Sequence, residues 1–337
     1  MTTLHAHLDA WSNRRDGRRP VAEAIAAIAE AAGELAGAIA RGPSAGGPGV
    51  EGDGGQSLDR LASAMFIDRL TDTAAAAVAL EDADEIVVLN PEGSVAVAID
   101  ALDGANNADI GAPLGTVFSL LPATPGQAPE DSFLVPGAHQ YASGFILYGP
   151  YTALVLTLGE GVDIFALNPQ TGEFVLTRAG IRIPPGRREY AINASNGRHW
   201  PLAIRAFVEE CLAGTEGPRG VDYNTRWLGA VVSEAFRILV NGGIYLYPGD
   251  ARPGYRRGRL WLLYEANPIA LLAEQAGGTA TDGFGRILDL VPADIHERVP
   301  LIFGSPDKVE RVMALYAASV PQAGQRPLFA ARGLFKS

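Results

Sequence analysis

Two carboxylates three residues apart, Asp100 and Asp103, close the apolar run Val95-Ala-Val-Ala-Ile-Asp100-Ala-Leu-Asp103-Gly104. Val95, Val97 and Ile99 have the spacing of a buried strand. A strand ending at Asp100 sets the turn 101–104 at one edge of the sheet and carries both carboxylates with it, while Gly104 is free to take φ > 0 and let the backbone fold back closely. Two neighbouring carboxylates suit a hard divalent cation. Taken alone, the stretch reads first as an ordinary strand-to-turn junction, because Asp and Gly are preferred turn residues.

The same arrangement occurs twice more. Residues 74–80 form an apolar run that stops at Glu81 and Asp82, and residues 260–264 form another that stops at Glu265. One carboxylate at the end of a run can be a solvated strand end, but three on one sheet edge repel each other unless a cation sits between them. The pattern therefore favours a site for more than one metal ion. Its donors are oxygens, and the chain has no His or Cys cluster to hold zinc, which points to Mg²⁺ or Mn²⁺.

Asp100-Ala-Leu-Asp-Gly-Ala-Asn-Asn107 resembles the Asp-Pro-Leu-Asp-Gly-Ser-Ser-Asn motif of the lithium-sensitive phosphatase superfamily, and within it the class 1 fructose-1,6-bisphosphatases. The narrower resemblance is carried by Tyr141-Ala-Ser-Gly-Phe-Ile-Leu-Tyr-Gly149, Asn241-Gly-Gly-Ile-Tyr-Leu-Tyr-Pro248, Leu262-Leu-Tyr-Glu-Ala-Asn-Pro268, Ala276-Gly-Gly-Thr-Ala-Thr281, Asp294-Ile-His-Glu-Arg298 and Gly304-Ser-Pro-Asp307. These stand in the family's order between about Val21 and about Leu315.

The resemblance implies an α/β (α+β) fold, a layered α-β-α-β-α sandwich. It implies hydrolysis of the 1-phosphate of fructose 1,6-bisphosphate to fructose 6-phosphate, with two or more Mg²⁺ (or Mn²⁺) per subunit. Glu81, Asp100, the Leu102 carbonyl, Asp103 and Glu265 would hold the metals; Asp59 and Asp82 would orient and deprotonate water. Asp103 and the backbone of Gly104, Ala105 and Asn106 would cradle the phosphate that is cleaved. Asn193, Tyr247 and Arg259 would grip the other phosphate, and Arg226 would reach into a neighbouring subunit of a homotetramer.

Departures from the family pattern are Ala101 for Pro, Ala105 and Asn106 for two Ser, Asp82 for Glu, Arg259 for Lys, and Trp227 and Trp261 where Tyr and Arg are usual. Sedoheptulose 1,7-bisphosphate, alone or as well, is the nearest alternative substrate, with inositol monophosphates further off. A non-catalytic sugar-phosphate-binding protein is the alternative of another class, and the complete carboxylate set argues against it. Many relatives are inhibited by AMP, held by a Thr-Gly-Glu-Leu-Thr stretch at the start of the first helix and a Lys-Tyr pair before the metal motif. Arg18-Arg19-Pro20-Val21-Ala22 and Ser94-Val95 stand there instead, so weak or absent inhibition is expected.

The rest of the chain must position these groups. Its 337 residues suffice for two domains or one large layered unit. The expected halves are 1–180, with the first helices and the metal motif, and 181–320, with the sugar-phosphate contacts; 321–337 is a loosely held tail. Lys plus Arg number 27 against 38 Asp plus Glu, a net charge of −11, which argues against nucleic acid or an anionic membrane as partner. The single cysteine, Cys211, excludes an intrachain disulfide, fits a reducing compartment and lies in an apolar stretch that suits the core. With no signal-peptide pattern and no apolar run long enough for a bilayer, a cytoplasmic location is expected.

Val21, Ile25, Ile28, Ala32, Leu35 and Ile39 step by four and three behind Pro20, which predicts an amphipathic helix. A glycine-rich stretch, 42–57, follows it. Gly47, Gly49 and Gly52 satisfy G-x-G-x-x-G there, but the stretch follows a helix and contains two prolines, so it reads as a mobile loop and not a dinucleotide site; in the family this loop closes over the metals. Leu58, Leu61, Met65 and Leu70 predict a second helix, with Asp59 in its first turn. Residues 145–177 predict an antiparallel meander. Helices are expected near 201–213, 226–239, 268–276 and 307–318, alternating with strands near Ala191, Ile244, Leu262 and Ile302. The arginines around 182–188 and 252–259 read mostly as solvated surface. Of five scattered histidines, His5 and His7 fall in a terminus expected to be unordered.

Overall fold

Leu4, Leu8 and Trp11 step by four and three and are all buried, which is why the first residues fold as a helix, α1 (Leu4–Ser12), and not as the unordered terminus expected. The Thr3 side chain accepts the Ala6 N–H at 3.3 Å, supplying the N-cap. The computed structural model describes residues 2–42 and 58–319; the glycine-rich stretch 43–57 and the tail lie outside them. Helix α2 (Arg19–Arg41) places Pro20 in its first turn and buries Val21, Ile25, Ile28, Ala32 and Leu35, as the spacing predicts. Helix α3 (Leu58–Thr71) begins at the second predicted helix and carries Asp59 in its first turn.

Eight strands follow: β1 (Ala75–Leu80), β2 (Val87–Val88), β3 (Val95–Asp103), β4 (Leu114–Pro122), β5 (Ala142–Tyr148), β6 (Thr152–Thr157), β7 (Asp163–Leu167) and β8 (Phe174–Arg178). They form one sheet in the order β2-β1-β3-β4-β5-β6-β7-β8, antiparallel except for the β1/β3 pair. The second sheet has the order β10-β9-β11-β15-β13, from β9 (Glu189–Ala191), β10 (Asn224–Thr225), β11 (Ile244–Tyr247), β13 (Thr279–Thr281) and β15 (Leu301–Gly304). Two-residue strands β12 (Leu260–Trp261) and β14 (Arg298–Val299) pair separately. The remaining helices are α4 (Leu202–Leu212), α5 (Val231–Asn241), α6 (Asn267–Gln275) and α7 (Pro306–Ser319).

Period-two alternation sends the two faces of the large sheet to different cores. Phe118, Ile146, Leu154 and Phe165 pack with α1, α2 and α3, whereas their neighbours Val117, Phe145, Val155 and Ile164 pack with α5, α6 and the inner face of the second sheet. The outer face of that sheet, Ile244, Leu246 and Ile302, is covered by Ile204, Phe207 and Cys211 of α4 and by Val309 and Val312 of α7. The result is the expected five-layer α-β-α-β-α sandwich. Burial pushes the Cys211 thiol up to about 11, in keeping with a core position.

Two expected elements differ. No long strand surrounds Leu262: after β12 the chain turns into a short π-helical segment, Leu262–Ala266, that leads straight into α6. The helix expected from Arg226 begins at Val231, with Arg226 and Trp227 in the connection before it. Among the described residues no helix is long and apolar enough to cross a membrane.

Candidate metal and phosphate site

The parallel β1/β3 pair does the first positioning. Leu80 sits opposite Ile99, and the Glu81 N–H extends the ladder to the Ile99 carbonyl at 3.1 Å, so Glu81, just past the end of β1, lies beside Asp100; β3 does not end at Asp100, the expected end, but runs on to Asp103. Residues three apart on a regular strand point to opposite faces. Here Asp100 faces Val117 and Asp103 faces Gly115, three steps on β3 against two on β4, so a bulge absorbs one residue and both carboxylates turn to the same side. The Thr116 hydroxyl closes the bulge by donating to the Ala101 carbonyl at 2.9 Å. Glu265 arrives from elsewhere, on the π-helical turn before α6, and not from the strand end that its run suggested.

Candidate ligand atoms of Asp100, Asp103 and Glu265 all lie within 4.8 Å of one another. Each carboxylate has one oxygen fixed by a main-chain N–H: Asp100 by Leu102 at 3.1 Å, Asp103 by Val232 at 3.0 Å, and Glu265 by Trp261 at 2.7 Å. A hydrogen bond to a charged group contributes about 1.5–3 kcal/mol. Two full charges at this separation repel by at least about 3 kcal/mol at an effective dielectric near 20, and three pairs are present, so repulsion wins unless a cation or protons intervene. Burial, with neighbouring carboxylates adding to it, accordingly pushes Asp100 well above its ordinary value and Glu265 up to about 8; Asp103 is pushed to about 6, chiefly by burial. Hard oxygen donors, crowded and desolvated, fit a Mg²⁺-class cation.

Around the cluster lies a cavity of ≈ 440 Å³ that also exposes Asp59, Ser63, Glu81, Asp82, Leu102, Gly104 and Ala105. Asp59 is raised by burial and by Asp82 and Glu81. Ser63 donates to both Asp82 oxygens at 3.2 Å. Sequence reasoning passed over Ser63, although it lies four residues after Asp59 and so on the same helix face. Gly104 adopts φ +78°, and a Cβ there would stand 2.9 Å from Ala230, so this turn requires glycine. A 3-10 turn, Ala105–Ile110, follows directly, with Ala105 on the cavity and Asn106 exposed beside it.

A second, narrow cleft gathers Asn193, Tyr247 and Arg259 with Trp200 and Asp250. Asn193 caps a short turn through its side-chain oxygen, accepting the Ser195 N–H at 3.2 Å. Burial raises the Tyr247 phenol, Glu265 adding to the effect and Arg259 opposing it, so the phenol stays a neutral donor. Arg226 stands apart: its Nε lies 3.5 Å from Glu189, and it is not among the residues lining either cleft. Trp227 stacks on Tyr245 and Tyr247 at centroid distances of 6.0 Å.

Known proteins of similar sequence and fold carry one family name. The family model for the fructose-1-6-bisphosphatase N-terminal domain matches residues 21–179, and that for the C-terminal domain matches residues 183–317. The chain is 47% identical over 342 residues to the class 1 fructose-1,6-bisphosphatase of Methylorubrum extorquens (strain PA1), covering 100% of this chain and 98% of that one. It is 49% identical over 343 residues to the class 1 fructose-1,6-bisphosphatase of Rhodopseudomonas palustris (strain BisA53), with 99% and 98% covered. The crystal structure of Leishmania major fructose-1,6-bisphosphatase in holo form superposes with a TM-score of 0.84 at 29% identity, over 94% of this chain and 99% of that chain. With both halves matched by the family's models and relatives near half identity along the full length, the chain belongs to the class 1 fructose-1,6-bisphosphatase family.

Proposed function

We propose that the chain hydrolyses the 1-phosphate of fructose 1,6-bisphosphate, with Glu81, Asp100, the Leu102 carbonyl, Asp103 and Glu265 holding two or more Mg²⁺ (or Mn²⁺) ions. The observation that carries this reading is the trio Asp100, Asp103 and Glu265, two of them buried and Asp103 half-buried, each with one oxygen fixed by the main chain and with candidate ligand atoms all within 4.8 Å of one another. When bound, such ions polarise phosphoryl oxygens and lower the pKa of water. The protein's own groups do the rest. Asp59 and Asp82 orient the attacking water and accept its proton; the raised affinity of Asp59 for a proton suits a base, and Ser63 holds Asp82 in place. Backbone N–H groups of Gly104, Ala105 and Asn106 face the phosphate to be cleaved. Asn193, Tyr247 and Arg259 take the far phosphate, Arg259 as a planar donor suited to it.

In this reading residues 1–180 supply the water-activating carboxylates and most cation ligands, and residues 181–320 the sugar-phosphate grip. The assembly is a homotetramer in which Arg226 serves a neighbouring copy, a placement consistent with its absence from the linings of both described clefts. Phosphate release from a panel of fructose 1,6-bisphosphate, sedoheptulose 1,7-bisphosphate and inositol monophosphate tests the substrate. Preference for fructose 1,6-bisphosphate is expected; turnover of the inositol ester alone would overturn it.

A further inference from the structure

Trp261 touches two of the carboxylates. Its main-chain N–H donates to Glu265 Oε2 at 2.7 Å, and its indole Nε1–H donates to Glu81 Oε1. Glu81 follows β1 of the large sheet, whereas Glu265 sits on the turn entering α6, so the two come from segments 184 residues apart in sequence (265 − 81). The indole is held in turn. Trp261 pairs with Arg298 across β12/β14, and the Arg298 guanidinium lies 3.6 Å from the ring centroid while donating to the Arg259 carbonyl. The His296 ring meets its edge at 5.3 Å and 74°, and His296 Nε2 lies 3.3 Å from the Glu81 carbonyl oxygen. Ring position, and with it the direction of the N–H, is fixed from several sides.

We propose that Trp261 is a positioning residue for the divalent cation: its two N–H groups set the separation of Glu81 and Glu265 and leave the other oxygen of each free to bind. The proposal rests on the phosphatase reading for the presence of a cation, and on the geometry above for the role of the indole. An indole N–H only donates, so it cannot itself take a place at the cation; at a carboxylate it can only orient. It also carries no charge. A tryptophan that merely filled space would not need its N–H on a cation ligand.

The test is Mn²⁺ uptake by chelator-stripped protein, followed by the electron paramagnetic resonance of free Mn²⁺, in the wild type and in Trp261→Phe, which keeps an aromatic ring and loses the N–H. Outer-shell partners of ligands are typically worth about 10–100-fold in metal affinity, and a loss in that range is expected. The metal-free melting temperature should fall by only a few degrees, from the lost hydrogen bond to Glu81, and the KM for substrate at saturating Mn²⁺ should stay at the wild-type value. In a Glu81→Gln background the same substitution should weaken Mn²⁺ binding by far less, because the acceptor it acts through has changed. Wild-type Mn²⁺ affinity in Trp261→Phe, or an equal loss in both backgrounds, would overturn the proposal and leave the phosphatase reading intact. A wild-type protein that takes up no Mn²⁺ would overturn both. Should Trp261→Phe fail to fold, Arg298→Leu carries the test: removing the guanidinium from the ring face should also weaken Mn²⁺ uptake, and unchanged affinity would count against the proposal.

Discussion

Asp100, Asp103 and Glu265 are each raised in the folded chain, and this has a consequence for stability without metal. Unfolded, Glu265 releases its proton near 4.5; folded, it holds the proton up to about 8, and Asp103 up to about 6. Between those values the native state binds more protons than the unfolded state, so stability falls as pH rises. Glu189 and Asp250 are shifted the other way, and their contributions are lost only in acid below their ordinary range. In chelator, the melting temperature should therefore drop from pH 5 to pH 8, and excess Mg²⁺ should remove most of that drop. A metal-free melting temperature that rises over this range would show that the trio is not under mutual repulsion. At this scale the sequence was informative about residue types and less so about how they meet. Asp100 and Asp103 stood out as a pair, but the bulge that turns both to one side depends on a step missing from β4, which no pattern within β3 announces.

At the scale of elements, the approach of α5 to the large sheet brings the Val232 N–H to Asp103, and Gly115 makes it possible. A Cβ on Gly115 would lie 2.4 Å from Val232 Cγ2 and 2.7 Å from the Ile146 carbonyl oxygen. Gly115→Ala should destabilise the protein by about 1–3 kcal/mol in denaturant melts and weaken metal binding as well, whereas a neutral effect would mean that α5 is not tightly seated. The beginning of α2 bears on regulation. Arg18 and Arg19, the basic residues that could have built a substitute phosphate site, are engaged: Arg18 with Glu160 at 2.6 Å and over the Trp11 ring at 4.5 Å, Arg19 with Glu23 at 2.9 Å. Titration with AMP at saturating Mg²⁺ should leave activity nearly unchanged; micromolar inhibition would mean that these pairs open to take a phosphate. Helix α1 was legible in the steps of Leu4, Leu8 and Trp11, yet was missed because terminal residues are ordinarily poorly held. The run before Glu265 misled for another reason. A short apolar run fits a buried strand and a buried helical turn equally, and only the following Asn267-Pro268, at the start of α6, marks the difference.

At the scale of the whole molecule, five layers place Asp59 on a helix of the outer layer, Glu81 just past β1 and Asp100 in the last part of β3 in the large sheet, and Glu265 at the start of a helix between the sheets. Layer order was readable because the alternating apolar patterns and the family motifs agree. Subunit contacts are not encoded in any pattern within one chain, so the trans role proposed for Arg226 needs its own trial. Asp103→Asn alone should cost more than about 100-fold in turnover, since even outer-shell partners of metal ligands can cost that much. Mixing Asp103→Asn subunits with Arg226→Ala subunits should recover part of the lost activity if Arg226 acts across a boundary; a mixture no better than its two components would contradict it. The most direct measurement is simpler: phosphate release from fructose 1,6-bisphosphate by chelator-stripped protein, before and after Mg²⁺ is restored. Fructose 6-phosphate should form only once Mg²⁺ returns, whereas unchanged release in chelator, or none with Mg²⁺ present, would contradict a cation-dependent phosphatase built on Asp100, Asp103 and Glu265.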